Sequence, residues 1–140
     1  MRLLDVNVLV AAVNREAEHH AAAMAAMRES YVLGKVALPW AVLLGFLRIT
    51  TRTGIMARPL SLVQALDNMN RWLEHDDTVV LQETPRHAGI VGRLLLGAGQ
   101  AGNLVSDAHL AALAIEHDAE LISFDSDFGR FTGLRWTPLS

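Results

Sequence analysis

Residues 2–10 read RLLDVNVLV, a segment that after Arg2 is apolar except for one carboxylate, Asp5, and one amide, Asn7. The run RLLDV predicts a short buried strand, and VLVAAVN at residues 8–14 predicts the start of a helix or a turn into one. Asp5 therefore falls at the carboxyl end of the first strand, with Asn7 beside it. Because no capping partner for Asp5 is evident in the sequence, its position points to a functional site.

Short apolar runs alternate with helical patterns along the rest of the chain. Further strands are predicted at KVAL (35–38), TVVLQ (78–82), LISF (121–124) and LRWTPL (134–139). Helices are predicted at about 17–28, 40–51, 61–75, 85–99 and 106–119. The alternation predicts an α/β fold, a three-layer α/β/α sandwich around a central, mostly parallel sheet. A single domain is expected over residues 1–140.

Composition narrows the class of protein further. The chain has 140 residues, a net charge of −3 and no cysteine, which excludes disulfides and thiolate metal sites and indicates a reducing, cytoplasmic environment. The longest apolar run is about a dozen residues, short of the roughly 20 that a membrane span needs. Proteins that bind nucleic acids commonly carry an excess of positive charge, so the negative net charge of this chain by itself argues against a nucleic-acid partner.

Four aspartates occupy comparable places in the predicted fold. Asp5 ends the first strand, Asp125 and Asp127 follow LISF, and Asp107 opens the SDAHLAALA helix. In an open parallel sheet these positions meet at one edge, where ligands bind. Clustered carboxylates repel one another unless a cation neutralises them, and an all-oxygen set favours Mg²⁺ or Mn²⁺. Each acid also has a simpler explanation when it is considered alone. Asp107 could be a favourable negative charge in the first turn of a helix, and Asp125 and Asp127 could be turn-forming residues.

The histidines do not predict a competing metal site. His19 and His20 are adjacent, His109 and His117 do not share a helix face, and His75 and His87 are isolated. A surface or structural role is expected for each. The glycine-rich GAGQAGN segment (97–103) has no strand before it, so it predicts the end of a helix and not a phosphate-binding loop.

Three ordered motifs together resemble a known family. LLDVNVLV, SDAHLAALA and LISFDSDF are similar to the corresponding segments of PIN-domain nucleases, and more narrowly of the VapC-type ribonuclease toxins of bacterial toxin–antitoxin modules. The resemblance covers essentially the whole chain and implies the PIN-like α/β/α fold. It also implies Mg²⁺-dependent endoribonuclease activity, a homodimer, and a VapB-type antitoxin that inserts a segment into the active-site groove.

The resemblance carries site roles onto matching positions. It implies that the catalytic metal ligands are Asp5, Asp107 and Asp125, with Asp127 as a further metal ligand and Asn7 and Ser123 as supporting residues. The family usually has a glutamate early in the helix after the second strand. Here no acid occurs between Glu29 and Asp67, and Leu43 or Gly45 takes the matching place.

Arginine is the candidate for contacts with RNA phosphates, because its planar fork matches phosphate oxygens. The candidates are Arg48, Arg52, Arg93 and Arg130.

The sequence leaves two alternative functions to consider. One is phosphotransfer on an aspartate at the end of a strand. Such sites typically need a lysine, and the only lysine of the chain, Lys35, is expected at the opposite end of the sheet. The other is a catalytically weak or inactive PIN-fold module that binds an antitoxin or RNA, a reading motivated by the missing glutamate.

Overall fold

The computed structural model describes all 140 residues as five strands, six α-helices and two 3₁₀ turns. The strands are β1 (Arg2–Leu4), β2 (Val36–Ala37), β3 (Thr78–Val79), β4 (Glu120–Ser123) and β5 (Trp136–Pro138). The helices are α1 (Val6–Val13), α2 (His20–Leu33), α3 (Trp40–Thr51), α4 (Leu62–Glu74), α5 (His87–Ala98) and α6 (Val105–Glu116). The 3₁₀ turns are Gly102–Leu104 and Ser126–Arg130.

All five strands join one sheet in the order β3-β2-β1-β4-β5, and every pairing is parallel. The first strand is therefore central, as its apolar sequence predicts. Leu4 pairs with Ile122, and the Asp5 amide continues the ladder by donating to the Ile122 carbonyl at 3.0 Å. This last bond fixes Asp5 beside the end of β4.

Both faces of the central strands are buried. Consecutive residues point to opposite faces of a sheet, yet Leu3 and Leu4 are both fully buried, as are Val36 and Ala37. Helices must therefore cover both faces, which is the expected three-layer arrangement. Among the helices, α1 packs against α2 and α3, α3 packs against α4, and α5 packs against α6.

The strand order reverses next to β1. The chain moves from β1 to β2 and β3 on one side, and then returns to β4 and β5 on the other. Ligands of open α/β sheets bind outside the carboxyl ends of the strands at such a reversal. Asp5 follows β1 there, and Asp125 comes soon after β4.

Local sequence signals account for one end of α4 and one end of α5. Ser61 accepts from the Gln64 amide and Gln64 reaches back to the Ser61 amide, a capping box that begins α4 at the predicted place. Gly99 ends α5 in the left-handed region at φ 68°, also as predicted. No helix of the structure combines the length and the apolar character needed to cross a bilayer.

The predicted end of α2 was wrong. The helix runs from His20 to Leu33 and not from residue 17 to residue 28, and Gly34 ends it at φ 153°. The polar residues after Arg28 do not interrupt the helix because they find partners. The Ser30 hydroxyl donates to the Ala26 carbonyl at 2.7 Å, and the Tyr31 hydroxyl lies 2.8 Å from the Thr78 hydroxyl.

Candidate metal centre at the carboxyl edge of the sheet

Three carboxylates converge at the strand-order reversal. One oxygen from each of Asp107, Asp125 and Asp127 lies within 4.8 Å of the others. Asp107 sits in the first turn of α6, and the other two belong to the segment that follows β4. Residues 20 positions apart in the sequence are thus brought together by the packing of α6 against the end of the sheet.

Asp5 lies beside this group and is held from several directions. Its Oδ1 accepts from the Val6 amide at 2.7 Å, so Asp5 is the N-cap of α1. Its Oδ2 accepts from the Ser123 hydroxyl at 2.6 Å and from Asn7 Nδ2 at 3.1 Å. The expectation that Asp5 has no capping role was therefore wrong, because the helix begins directly after the strand, with no intervening turn.

Ser123 connects the two strand ends. Its hydroxyl donates to Asp5 and accepts from Asn7 Nδ2 at 3.0 Å and from the Asp125 amide at 2.9 Å. Asp125 in turn accepts from the Asp127 amide at 2.9 Å through Oδ1. This chain of bonds orients the carboxylates before any ligand arrives, and Ser123 itself is fully buried.

Replacing Ser123 by alanine is expected to lower the free energy of unfolding by about 2 kcal/mol at neutral pH. The change removes a charge-assisted bond to Asp5 and leaves the Asn7 and Asp125 donors without their acceptor. Urea denaturation of the metal-free protein measures the effect. Ser126→Ala, at an exposed position of the same segment, is the matched control and should stay within about 0.5 kcal/mol of wild type. Equal stabilities for the two variants would contradict the proposed network.

Burial and neighbouring carboxylates raise the pKa of Asp5 and of Asp107. Burial raises the pKa of Asp5, and the neighbouring Asp125 raises it further, against the opposing effect of bonds from Ser123, Val6 and Asn7. Burial together with the charges of Asp125, Asp5 and Asp127 raises the pKa of Asp107 to about 6. The site thus holds more negative charge than its own hydrogen bonds neutralise, which is the electrostatic condition for binding a cation.

A cleft opens from Asp5 and Asp107 between two helices. This α3–α6 cleft has a volume of about 440 Å³. Its lining comprises Asp5, Val6, Ala41, Val42, Gly45, Arg48, Val105, Ser106, Asp107, His109 and Leu110. Of the two positions considered for the missing glutamate, Leu43 is fully buried whereas Gly45 faces the cleft. Gly45 is therefore the position where a carboxylate would reach the acids.

A second hydrogen-bonded series of side chains, which the sequence analysis did not predict, begins at His109 in the wall of the cleft. His109 Nδ1 lies 2.9 Å from His87 Nε2, and His87 Nδ1 lies 2.8 Å from a carboxylate oxygen of Glu116. The prediction that His87 is isolated was wrong, because the packing of α5 on α6 brings together residues 22 positions apart. Burial lowers the pKa of His109, and His87 lowers it further against the raising effect of Glu83 and Glu116.

Glu116 anchors this chain and should make stability depend on pH. Burial alone raises the pKa of Glu116, but hydrogen bonds from Thr84 and His87 outweigh it and leave that pKa below its ordinary value. Such a carboxylate stabilises the fold above its unfolded-state pKa, and the contribution disappears as pH falls through the folded-state value. We expect Glu116→Gln to be about 1–2 kcal/mol less stable than wild type at pH 7.

Denaturant titrations at neutral and acidic pH measure this dependence. The difference between wild type and Glu116→Gln should shrink as the pH falls below the ordinary glutamate value of 4.5. Glu74→Gln, at an exposed helix end, should match wild type throughout. A difference that persists unchanged at acidic pH would show that packing alone is responsible.

The four candidate arginines are all exposed but differ in their surroundings. Arg48 lines the α3–α6 cleft, and Arg52 lies at the end of α3; neither forms an ion pair or side-chain hydrogen bond. Arg93 donates to the Thr132 carbonyl at 3.4 Å. Arg130 donates to Gln100 at 2.9 Å and its Nε lies 3.8 Å from Asp127. Arg48 and Arg130 are thus the two connected with the acidic site.

The lysine that phosphotransfer typically requires is absent from the acidic site. Lys35 precedes β2, at the amino end of the sheet, and its Nζ pairs with Asp77 at 3.1 Å. This location agrees with the sequence prediction and argues against an aspartyl-phosphate mechanism.

Comparison with known proteins identifies the family. Residues 2–134 match the PIN domain. The chain belongs to the PIN-domain family. This PIN domain is 44% identical over 138 residues to Ribonuclease VapC37 of Mycobacterium tuberculosis, covering 97% of this chain and 95% of the relative. It is 38% identical to Ribonuclease VapC33 of the same species, covering 98% and 96%. The resemblance to VapC proteins noted in the sequence is confirmed.

Solved structures share the fold of this PIN domain. VapBC2 from Rickettsia felis, solved bound to a DNA fragment from its promoter, superposes with a TM-score of 0.71 at 17% identity and covers 99% of this chain and 98% of that one. M. tuberculosis VapC20, described as a Sarcin-Ricin loop cleaving toxin, gives 0.69 at 16% identity, covering 96% and 99%. The predicted α/β/α arrangement is confirmed by these neighbours.

Proposed function

We propose that this PIN domain is a divalent-metal-dependent endoribonuclease, the toxin of a toxin–antitoxin system, acting in the cytoplasm. The observation that carries the proposal is the convergence of Asp107, Asp125 and Asp127 within 4.8 Å, beside Asp5, at the strand-order reversal. Relatives named as VapC ribonucleases at up to 44% identity over nearly the full chain support it.

The residues present fit a hard divalent cation. All of the donors are carboxylate oxygens, the ligands that Mg²⁺ and Mn²⁺ prefer, and burial together with the neighbouring carboxylates raises the pKa of Asp107. Asp5, Asp107 and Asp125 are the proposed catalytic ligands, with Asp127 as a further ligand. When bound, such an ion activates water for attack on a phosphodiester and stabilises the charge that develops on the departing oxygen.

The remaining residues of the site act by orientation. Ser123 and Asn7 fix the rotamer of Asp5 and tie the segment after β4 to the start of α1. Because the geometry is set before substrate arrives, little reorganisation is needed during the reaction. The proposed contacts for RNA phosphates are Arg48 and Arg130, together with Arg52 at the end of α3 and Arg93 on α5.

Two protein partners are proposed. A VapB-type antitoxin would bind this chain, as the structural neighbours solved as VapBC complexes suggest. A hollow of about 630 Å³ bounded by α1, α2 and α4 offers apolar contacts from Met24, Met27 and Trp72. A homodimer is the second proposal, supported by the exposed apolar side chains Trp40 and Leu44 on α3.

The activity is tested by incubating total RNA with the purified chain. Cleavage is expected with Mg²⁺ or Mn²⁺, and not with a chelator or with Asp5→Asn. Cleavage by the purified chain that survives both the chelator and the substitution would refute the proposal.

A catalytically weak module that binds an antitoxin or RNA is the second candidate function. It is favoured by one observation, the absence of a side chain at Gly45 where a further carboxylate would face the cleft. Isothermal titration with Mn²⁺ distinguishes the two candidates. Binding at submillimolar concentration supports the nuclease, whereas no binding at millimolar concentration supports the inactive module.

A further inference from the structure

The α3–α6 cleft shares Asp5 and Asp107 with the candidate metal centre, whereas Asp125 and Asp127 do not line it. Its volume of about 440 Å³ falls within the range typical of small-molecule sites, about 300–1,000 Å³. Apart from the two acids, its walls combine apolar side chains with one arginine and one histidine. Beside the acids, the cleft therefore offers apolar contacts for a flat ring, a cation for a phosphate and an imidazole for a polar group of a ligand.

We propose that this cleft binds one nucleotide of the single-stranded RNA substrate, next to the phosphodiester at the metal centre, an inference that rests on the proposed function. The base lies between Ala41 on α3 and Val105 on α6, which are exposed apolar side chains of the cleft. Apolar walls suit a base because every base has an apolar face. The shared acids make the cleft continuous with the site of cleavage.

Arg48 supplies the phosphate contact. It lies on the same stripe of α3 as Ala41 and Gly45, since residues three and four apart share a helix face. Its guanidinium forms no ion pair or hydrogen bond within the chain, so its donors are free for an anion. A cation at one part of a cleft that is otherwise acidic matches a nucleotide, whose phosphates lie near both the arginine and the metal.

His109 supplies a polar contact on the opposite wall. The carboxylate of Glu116 accepts the Nδ1 proton of His87, which leaves His87 Nε2 as the acceptor for His109 Nδ1. The bonds orient the His109 ring, and its Nε2 is 3.6 Å from Glu83, beyond hydrogen-bonding distance. Nε2 is thus left to bind a hydroxyl or amino group of the nucleotide.

Gly45 keeps the cleft open. A Cβ at this position would lie 3.3 Å from Val6 Cγ2, and any longer side chain would occupy the space between the helices. Gly45, the position that lacks the family's carboxylate, is therefore also the position where the absence of a side chain leaves room for a ligand.

The test measures the affinity of the full chain for a fluorescent, randomised pool of short single-stranded oligoribonucleotides, in chelator so that no cleavage intervenes. Ala41→Leu fills the cleft from an exposed position without adding an aromatic ring on which a base could stack, and Arg48→Gln removes the cation of the cleft. Each is expected to weaken binding about tenfold, because the first excludes the base and the second removes one phosphate contact. Arg28→Gln, at an exposed arginine on α2 that has no partner, is the matched control and should bind as wild type does.

A second readout locates the nucleotide directly. With 4-thiouridine in the pool, photo-crosslinks should map to residues 40–48 or 105–110, and Ala41→Leu should reduce them. Affinities of Ala41→Leu and Arg48→Gln that equal that of Arg28→Gln, or crosslinks confined to other segments, would overturn the proposal. Failure of the wild type to cut RNA with Mn²⁺ would refute the nuclease alone, because the binding assay contains no metal and no cleavage step.

Discussion

Asp107→Asn is expected to reduce RNA cleavage by at least about a thousandfold and, at the same time, to make the metal-free protein more stable at neutral pH. The loss of activity follows from removing one of the three clustered carboxylates, since an ion at such a site contributes several kcal/mol to transition-state stabilisation. The gain in stability follows from removing a carboxylate whose ionisation is opposed by its neighbours.

The sign of the stability effect follows from the pKa. Burial and the charges of Asp125, Asp5 and Asp127 raise the pKa of Asp107 from 3.8 to about 6, so the folded state binds more protons than the unfolded state between these values. Wild-type stability therefore falls as pH rises through that window. We expect Asp107→Asn to be about 1 kcal/mol more stable above pH 6, since partial solvent exposure reduces the energy of the full pKa shift.

Thermal unfolding with and without Mn²⁺ measures both effects. Saturating Mn²⁺ should raise the melting temperature of wild type through its binding to the folded state and should leave Asp107→Asn nearly unchanged. Asp67→Asn, at an exposed position of α4, is the control and should behave as wild type does in every assay. A metal-free Asp107→Asn protein that is less stable than wild type would contradict the repulsion among the acids.

Gly45→Glu is expected to strengthen Mn²⁺ binding by at least about tenfold relative to Gly45→Gln. Affinity of oxygen-ligand sites rises with the number of charged ligands, and Gly45 faces the cleft that Asp5 and Asp107 line. The new Cβ would lie 3.3 Å from Val6 Cγ2, so Val6 must move by a few tenths of an ångström. Replacing glycine within a helix offsets part of this cost, by about 0.5–1 kcal/mol.

Isothermal titration of both variants with Mn²⁺ separates charge from volume. The glutamate and glutamine side chains fill the cleft similarly, so both variants should also bind RNA more weakly than wild type. Equal Mn²⁺ affinity of the two variants would show that position 45 does not face the ion. The two variants thus test whether glycine at position 45 lowers the affinity for metal while keeping the α3–α6 cleft open for RNA.

Much of the fold was predictable because its signals are local. The apolar run before Asp5 predicted the central strand, and Ser61 and Gly99 predicted helix ends through their own backbone bonds. The paired strands are shorter than the apolar runs: β3 is Thr78–Val79 within the predicted 78–82. An apolar run in the sequence indicates burial, and burial continues beyond the last hydrogen bond between paired strands. The end of a strand therefore cannot be predicted from the apolar run alone.

The site was predictable in part for the same reason. Asp107, Asp125 and Asp127 follow from their places at element ends, because parallel topology brings such places to one edge. The chain from His109 through His87 to Glu116 was not predictable, since it depends on how α5 lies against α6. His109 and Glu116, seven residues apart on one helix, share a face and were the one available signal.

The most direct test of the central claim is an anomalous difference map from crystals grown with Mn²⁺ and collected at the manganese edge. The account predicts a peak enclosed by Asp107, Asp125 and Asp127 and adjoining Asp5. No peak at that edge of the sheet, or a peak only at other acids such as Asp76 and Asp77, would contradict it.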